Sequence, residues 1–460
     1  VLFFSLGLFN NLGYVLVWVS SADLSNSLEQ DNLVSLYLLL MQVLSFLSRL
    51  GHMNYGIKFG YKSKLLVVSI VNIISYLTFY VVLVTTDYDD KDSLNRSFYL
   101  SLIPCILFGF SSSIGEVSLI GYMKKYPSTW MSGFSGGTGL AGVIGALIKM
   151  IFSLTDTKSS LMWLIVSISG VLYYLAYICA ENLYKSDLKK QVEINLNESN
   201  ILEPDQERTP EEINETTHKG SHNKVESSDT ESNNSYAPQL EYEHNLSQKL
   251  TSLKIDKSRE INYDEIVEDL NKTMELEEQG RENTQHKRFN WQNMKVSLKQ
   301  AGSYIYNIGI AYFMSYNIVH FSERYEKFEY ASTSNQYIYF NLTYQVGVLF
   351  SRSGISLIKR FKPTVLTVMI IVQTCFCAFW YVLAQVGFIK VFWPLLIIML
   401  IVGLVEGSAY VFGFYLIYED KKIQDEYREL SLNICFNLAD ICMITSSCLC
   451  LLLDNTALKV

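Results

Sequence analysis

No cysteine of this chain lies outside an apolar stretch: Cys105, Cys179, Cys375, Cys377, Cys435, Cys442, Cys448 and Cys450 all fall inside candidate membrane spans. That placement speaks against a disulfide framework and reads the thiols as packing residues. Cys375-Phe376-Cys377 and Cys448-Leu449-Cys450 have no histidine nearby, so neither reads as a metal site. Also missing are a nucleophile–base pair, a metal-ligand cluster and the Lys-Ser/Thr of a phosphate-cradling loop. The expected catalytic residues, metal and cofactor are therefore none, and the chain is not expected to be an enzyme. Charge is scarce except between residues 185 and 295, which are rich in Glu, Asn, Ser, Lys and Asp. That segment supplies most of the net charge of −8, so the acidity says little about partners, and no nucleic acid is expected.

What remains is grease. The mean hydropathy of +0.17 averages the polar segment with a far more apolar remainder. Eleven apolar stretches run over residues 1–20, 32–50, 64–85, 97–123, 131–155, 160–184, 297–320, 335–358, 364–388, 391–418 and 430–453. Hydrocarbon offers no partner to backbone N–H and C=O groups, so runs of about 20 apolar residues cross it as helices. The expectation is an all-α membrane protein of about eleven transmembrane helices, six plus five. Its parts are an N-terminal half over 1–184, a polar cytosolic loop over 185–295 and a C-terminal half over 296–460. The chain opens at Val1 inside an apolar run, which reads as a missing natural N-terminus.

Orientation follows from Lys and Arg in short loops. Arg49, Lys58, Lys62 and Lys64 follow span two, Lys124 and Lys125 span four, and Lys359, Arg360 and Lys362 span eight. Loop 21–31 has neither Lys nor Arg, and loop 86–96 is acidic. The N-terminus and central loop are thus expected in the cytosol and the C-terminus in the lumen. Asn95-Arg96-Ser97, on the lumenal side, matches a glycosylation acceptor. The central loop reads as largely disordered, with a helix over 260–280 and a membrane-surface segment from Arg288 to Lys299. Trafficking partners would act there.

The halves echo each other. Span two ends Phe46-Leu47-Ser48-Arg49 and span eight Leu349-Phe350-Ser351-Arg352. Span four carries Gly115-Glu116 and span ten Glu406-Gly407, each the only acid of its span. Two similar halves facing each other across a path are the plan of many secondary transporters. Charges inside a span cost about 2.5–3.5 kcal/mol on insertion scales, so they face a cavity or a partner. Glu116, Glu406 and Asp440 are the candidate proton-coupling acids, with Arg352 at the cytosolic mouth as a gate. Asn433, Asn437 and Asp440 form one stripe of span eleven, and Tyr312, Tyr316 and His320 one of span seven. With Asn10, Tyr14, Tyr344, Gln345 and Tyr410 they are expected to line a central cavity, although bonding between helices alone is an equally open reading. Lys149 is expected to snorkel or to pair locally. Gly137, Ala141 and Gly145 make a smooth stripe for close helix packing.

Several blocks resemble the battenin (Batten-disease protein) family. They are Asn10-Asn11-x-x-Tyr14-Val15, Gly115-Glu116-Val117 with Tyr126-Pro127, and Gly137-Thr138-Gly139-x-Ala141-Gly142-x-x-Gly145-Ala146-Leu147. Tyr344-Gln345-x-Gly347-Val348-x-x-Ser351-Arg352-Ser353, Ala409-Tyr410-Val411 and Glu426-x-Arg428-Glu429 complete the series. The resemblance implies a polytopic protein of lysosomal, endosomal or vacuolar membranes, distantly similar to major-facilitator and equilibrative nucleoside transporters. It also implies links to lysosomal pH, basic amino acid transport and clearance of glycerophosphodiesters. The chain departs from the family's pattern at three places. Val402 stands where the family has its span-ten acid, Phe412 where it has an Asn, and the span-eleven Asp is offset by about a residue. Glu406 returns a carboxylate to the face of Val402 one turn later.

The reading is a proton-linked lysosomal or vacuolar transporter for small charged metabolites, basic amino acids or glycerophosphodiester-type solutes, with protons and the lipid bilayer as its other partners. A non-transporting scaffold acting through loop 185–295, or a facilitative nucleoside carrier, is the alternative.

Overall fold

The computed structural model describes residues 1–55, 59–123, 128–155, 158–201, 290–325, 333–354 and 361–458, and nearly all of them are helical. Val1–Ala180 and Gln279–Val460 gather into one compact body. Of the other unit, Glu181–Glu278, the described part continues a helix to Ile201.

The first set of helices is α1 (Leu2–Ser27), α2 (Val34–Tyr55), α3 (Tyr61–Thr85), α4 (Lys91–Met123), α5 (Ser128–Leu154), α6 (Ser159–Val166) and α7 (Ile168–Ile201). The second is α8 (Trp291–Arg324), α9 (Thr333–Ser353), α10 (Thr364–Val386), α11 (Phe392–Glu419) and α12 (Asp425–Asp454). Span six is therefore two helices that meet at Ser167, where α6 ends. The α7 helix carries on to Ile201, into the polar segment. The expected helix over 260–280 lies outside the described residues. The expected surface segment is, from Trp291 onward, the first turns of α8, with Lys295 over the exposed Trp291 ring.

Among the described residues, nine helices are long and apolar enough to cross a membrane by themselves. The α8 and α9 helices are not among those nine. The reason is visible in α9, where Asn335, Gln336, Asn341, Thr343 and Gln345 dilute the apolar residues. Gln336, Asn341 and Gln345 are buried, so their polarity is spent inside the bundle.

The outer helices show the reverse distribution. Ile70, Ile74, Val81 and Val84 of α3, and Val368, Ile371 and Val382 of α10, are exposed. An apolar outer face around a helix that also packs inward is the pattern of a lipid-facing span. Inside, α1 lies along α5, α2 along α4 and α12, α8 along α12, and α9 along α5 and α11. The α5–α9 and α2–α12 contacts join the first set of helices to the second. Small residues make the close approaches possible: Gly137 packs on the Phe4 backbone and Gly145 on Val15, both of α1. The adjacent Gly139 and Gly142 pack on Leu349 and Gln345 of α9. The stripe thus serves α1, while Gly139 and Gly142 serve α9.

Candidate functional site

Glu116 and Glu406 sit on the inward faces of α4 and α11. They meet α1, α2, α8, α9 and α12 around a cavity of about 110 Å³. Its wall includes Tyr14, Gln42, Arg49, Tyr312, Tyr316, Tyr344, Gln345, Arg352, Tyr410 and Asp440. Typical ligand pockets run to about 300–1,000 Å³. This conformation thus holds water-sized space, and a metabolite would have to widen it.

Two ion-pair groups form the charged part of the wall. Arg49 Nη2 lies 2.8 Å from Glu116 Oε2, and its Nε lies 3.0 Å from Asp440 Oδ2. Ser45 Oγ donates to the same Asp440 oxygen at 3.3 Å, and the Arg49 guanidinium sits over the Phe436 ring. Across the cavity, Arg352 Nη2 lies 3.6 Å from Glu406 Oε1, and its Nη1 donates to Thr138 Oγ1 at 3.2 Å. The Arg352 guanidinium stacks over the Tyr410 ring, whose hydroxyl donates to Glu116 Oε1 at 3.5 Å. Tyr410 therefore touches both groups. Among the described residues two guanidiniums face three carboxylates, an excess of one negative charge when all are ionised. Glu406 Oε2, Asp440 Oδ1 and Arg49 Nη1 are buried with no hydrogen-bond partner among the described residues. Unmet polar atoms in low dielectric are costly.

The apolar part of the wall is aromatic. Trp18 stacks on Tyr316 with ring centroids 4.5 Å apart and meets Tyr344 edge-on. Gln42 Nε2 donates to Tyr14 Oη at 2.6 Å and to Tyr316 Oη at 3.2 Å, joining α1, α2 and α8.

Not every residue expected in the cavity lines it. Asn10 donates to the Ser112 carbonyl at 3.1 Å and accepts from Tyr173, while its neighbour Asn11 faces the cavity. Asn437 donates to the Asn433 carbonyl one turn back, and of that stripe only Asp440 is in the cavity wall. The three share a face and differ in depth along the helix, and only the last member reaches the cavity. His320 lies one turn beyond Tyr316 and bonds Asp454 instead.

Arg49 is the member that sequence reasoning misplaced. By sequence it belongs with the basic residues of a cytosolic turn, but it is only 8% exposed and holds two of the three acids. The signal in the sequence is the repeat itself, since Ser48-Arg49 echoes the Ser351-Arg352 pair. Lys149 is buried and pairs rather than snorkels; its partner is Asp23 of α1.

A solved POT family transporter in complex with a thioalcohol-conjugated peptide matches this fold with a TM-score of 0.57, covering 99% of this chain and 91% of that one. At 10% identity that likeness speaks for fold alone, and it bears out the major-facilitator-like architecture. Battenin from Dictyostelium discoideum is 26% identical over 375 residues, which is 79% of this chain and 74% of that protein. Protein BTN1 of Kluyveromyces lactis is 25% identical over 176 residues, 37% of this chain and 41% of that protein. The family model described as CLN3 protein matches residues 1–458, so this multi-pass membrane protein belongs to the CLN3 protein family.

Proposed function

We propose that the chain is a proton-linked transporter of lysosomal or vacuolar membranes that carries small charged metabolites. In this reading residues 1–184 and 296–460 are the moving halves and 185–295 the cytosolic loop between them. The observation that carries it is the excess carboxylate of a buried cavity bounded by both sets of helices. A buried excess charge is neutralised either by a proton on one acid or by a cationic group of a solute. Those two occupants exclude each other at the same carboxylate, which is the elementary form of coupling between a proton and a cationic substrate.

Glu406 is the acid best suited to exchange. Glu116 and Asp440 share Arg49 at 2.8 and 3.0 Å, whereas Glu406 has Arg352 at the longer distance of 3.6 Å. Arg352, held by Glu406 and by Thr138 of α5, is the gate between α5 and α9. A basic amino acid or a glycerophosphodiester with a cationic head supplies the charge that Glu406 lacks. The lysosomal or vacuolar setting rests on the kinship with battenin and BTN1.

The test is uptake of a labelled basic amino acid and of a labelled glycerophosphodiester into reconstituted vesicles, with and without a pH gradient. Gradient-stimulated uptake of one of them, with the stimulation lost in Glu406→Gln, is the expected result. Uptake of neither, or a pH response unchanged in both Glu406→Gln and Glu116→Gln, overturns the reading.

A further inference from the structure

By sequence, the segment ending at Lys299 lies along the membrane surface. From Trp291 onward it instead runs without a break into the span, as the first turns of the 34-residue helix α8. A bilayer core takes about 20 helical residues, so α8 outruns it, and its polar first turns stand at the headgroup layer and above.

The outward face of those turns is a single row. Trp291, Lys295, Lys299, Tyr306 and Ile310 follow one another at helical spacings of four and seven, and all five are exposed. Ser297, Ala301, Gly302 and Ile305, on the other faces, are buried. Tyr306 and Ile310 continue the apolar outer surface of the bundle, and an outward tyrosine near the end of a span belongs to the aromatic belt at the interface. Along the axis Lys299 stands about 10 Å beyond Tyr306, and Lys295 about 16 Å. A headgroup layer is about 5–8 Å thick, and the lysine stems bridge the remaining distance.

The two ammonium groups meet no carboxylate. Among the described residues neither Lys295 nor Lys299 has an ion-pair partner, and Lys295 lies instead over the Trp291 ring, 5.5 Å from its centroid. The turn between α11 and α12 is tied to the next face of α8. There Tyr304 Oη donates to Asp420 Oδ2 at 2.6 Å, and the Gln424 N–H donates to Gln300 Oε1 at 3.1 Å. Asp420 is thereby engaged, with the Lys422 N–H as a second donor. Lys421 and Lys422 of that turn, both exposed, add to the basic character of this end.

We propose that Lys295 and Lys299 hold the headgroup of an anionic phospholipid whose acyl chains lie along Tyr306 and Ile310. The row is basic at headgroup height and apolar below it, and those two chemistries match the two parts of such a lipid. An acidic protein segment would use the lysines and leave the lower half of the row uncovered. The proposal needs the bilayer and not the transport reading. It bears on that reading because α8 also carries Tyr312 and Tyr316 into the cavity wall, so the lipid grips a helix of the candidate site.

The experiment uses the full chain in phosphatidylcholine vesicles with about a fifth phosphatidylserine, an anionic lipid of the kind basic juxtamembrane groups attract. Photoreactive benzoylphenylalanine replaces Ser303, which is exposed between Lys299 and Tyr306, or, for comparison, Ile74 on the outer face of α3. Mass spectrometry of the cross-linked lipid then gives the ratio of phosphatidylserine to phosphatidylcholine at each position. The ratio at Ser303 is expected to exceed that at Ile74 roughly threefold or more. Lys295→Gln with Lys299→Gln should bring it down to the Ile74 value, and Lys295→Arg with Lys299→Arg should keep it high. Equal ratios at the two positions in the parent, or an enrichment that survives the glutamine pair, overturns the proposal. The parent comparison decides the matter even if a lysine variant folds poorly. Enrichment at Ser303 in a protein that moves no solute would keep the lipid site and remove the transport reading.

Discussion

Arg49 and Arg352 hold corresponding places in the two sets of helices, on α2 and α9. Each is paired with the only acid of its own partner span, Glu116 at 2.8 Å and Glu406 at 3.6 Å. Each also reaches across to the other set: Arg49 to Asp440 of α12, Arg352 to Thr138 of α5. The α5 and α12 helices are themselves counterparts, the fifth spans of their halves. The repeat legible in the sequence as Ser-Arg and Gly-Glu pairs is thus a repeat of contacts.

Arg49→Gln should be the most damaging change in the cavity. It leaves Glu116 and Asp440 buried without their counter-ion, a loss of about 3–5 kcal/mol. Thermal unfolding in detergent should show that loss, and Arg49→Gln with Asp440→Asn should recover part of it. A double variant no better than the single would mean that Asp440 draws nothing from Arg49.

Gly142→Leu should jam the contact between α5 and α9. A side chain at 142 meets the Gln345 amide, and overpacking of this kind costs about 1–3 kcal/mol. Solute uptake should fall about tenfold, while Gly133→Ala, with its open surroundings, should leave uptake unchanged.

Gln42→Leu should leave the fold intact and weaken the aromatic wall. Tyr14 and Tyr316 lose the amide that joins their hydroxyls, at about 1–3 kcal/mol for unmet buried groups. The expected signature is a higher KM with a smaller effect on kcat, read from concentration-dependent uptake.

Asp420 provides a pH-dependent stability term outside the spans. Partial burial alone would raise its carboxyl, but hydrogen bonds from Tyr304 Oη at 2.6 Å and the Lys422 N–H at 2.9 Å outweigh it and bring it below the ordinary aspartate value. A depressed value means stability present above the unfolded aspartate range and lost as pH falls through the folded one. Tyr304→Phe should therefore lower the unfolding midpoint near neutral pH, with the difference shrinking toward about pH 3.

How much of this was legible follows from where each charge lies in the chain. Glu116, Glu406 and Arg352 interrupt apolar runs, so their cost in hydrocarbon marks them without any structure. Arg49 stands at the edge of its run beside Lys58, Lys62 and Lys64, where a basic residue reads as a marker of sidedness. Only the length of α2, which continues to Tyr55, puts Arg49 inside. Asn10 and Asn11 differ by one position, and periodicity cannot choose between neighbours that point about 100° apart. His320 shares a stripe with Tyr316 but belongs to the other end of the bundle, a distinction carried by depth along the helix rather than by face. The partnership of Lys149 with Asp23 depends on how α1 lies against α5, which neither segment states alone.

The two cross-links of the arginines differ in kind: one ends on a carboxylate, the other on a hydroxyl. Arg49 must leave a carboxylate when its side of the cavity parts; Arg352 need only leave a hydroxyl. Other things being equal, the Thr138 contact is the weaker of the two, so a twofold plan carries an uneven join. Exchanging the two, Thr138→Asp with Asp440→Thr, would move the heavier arm to the opposite face without altering the sum of charges.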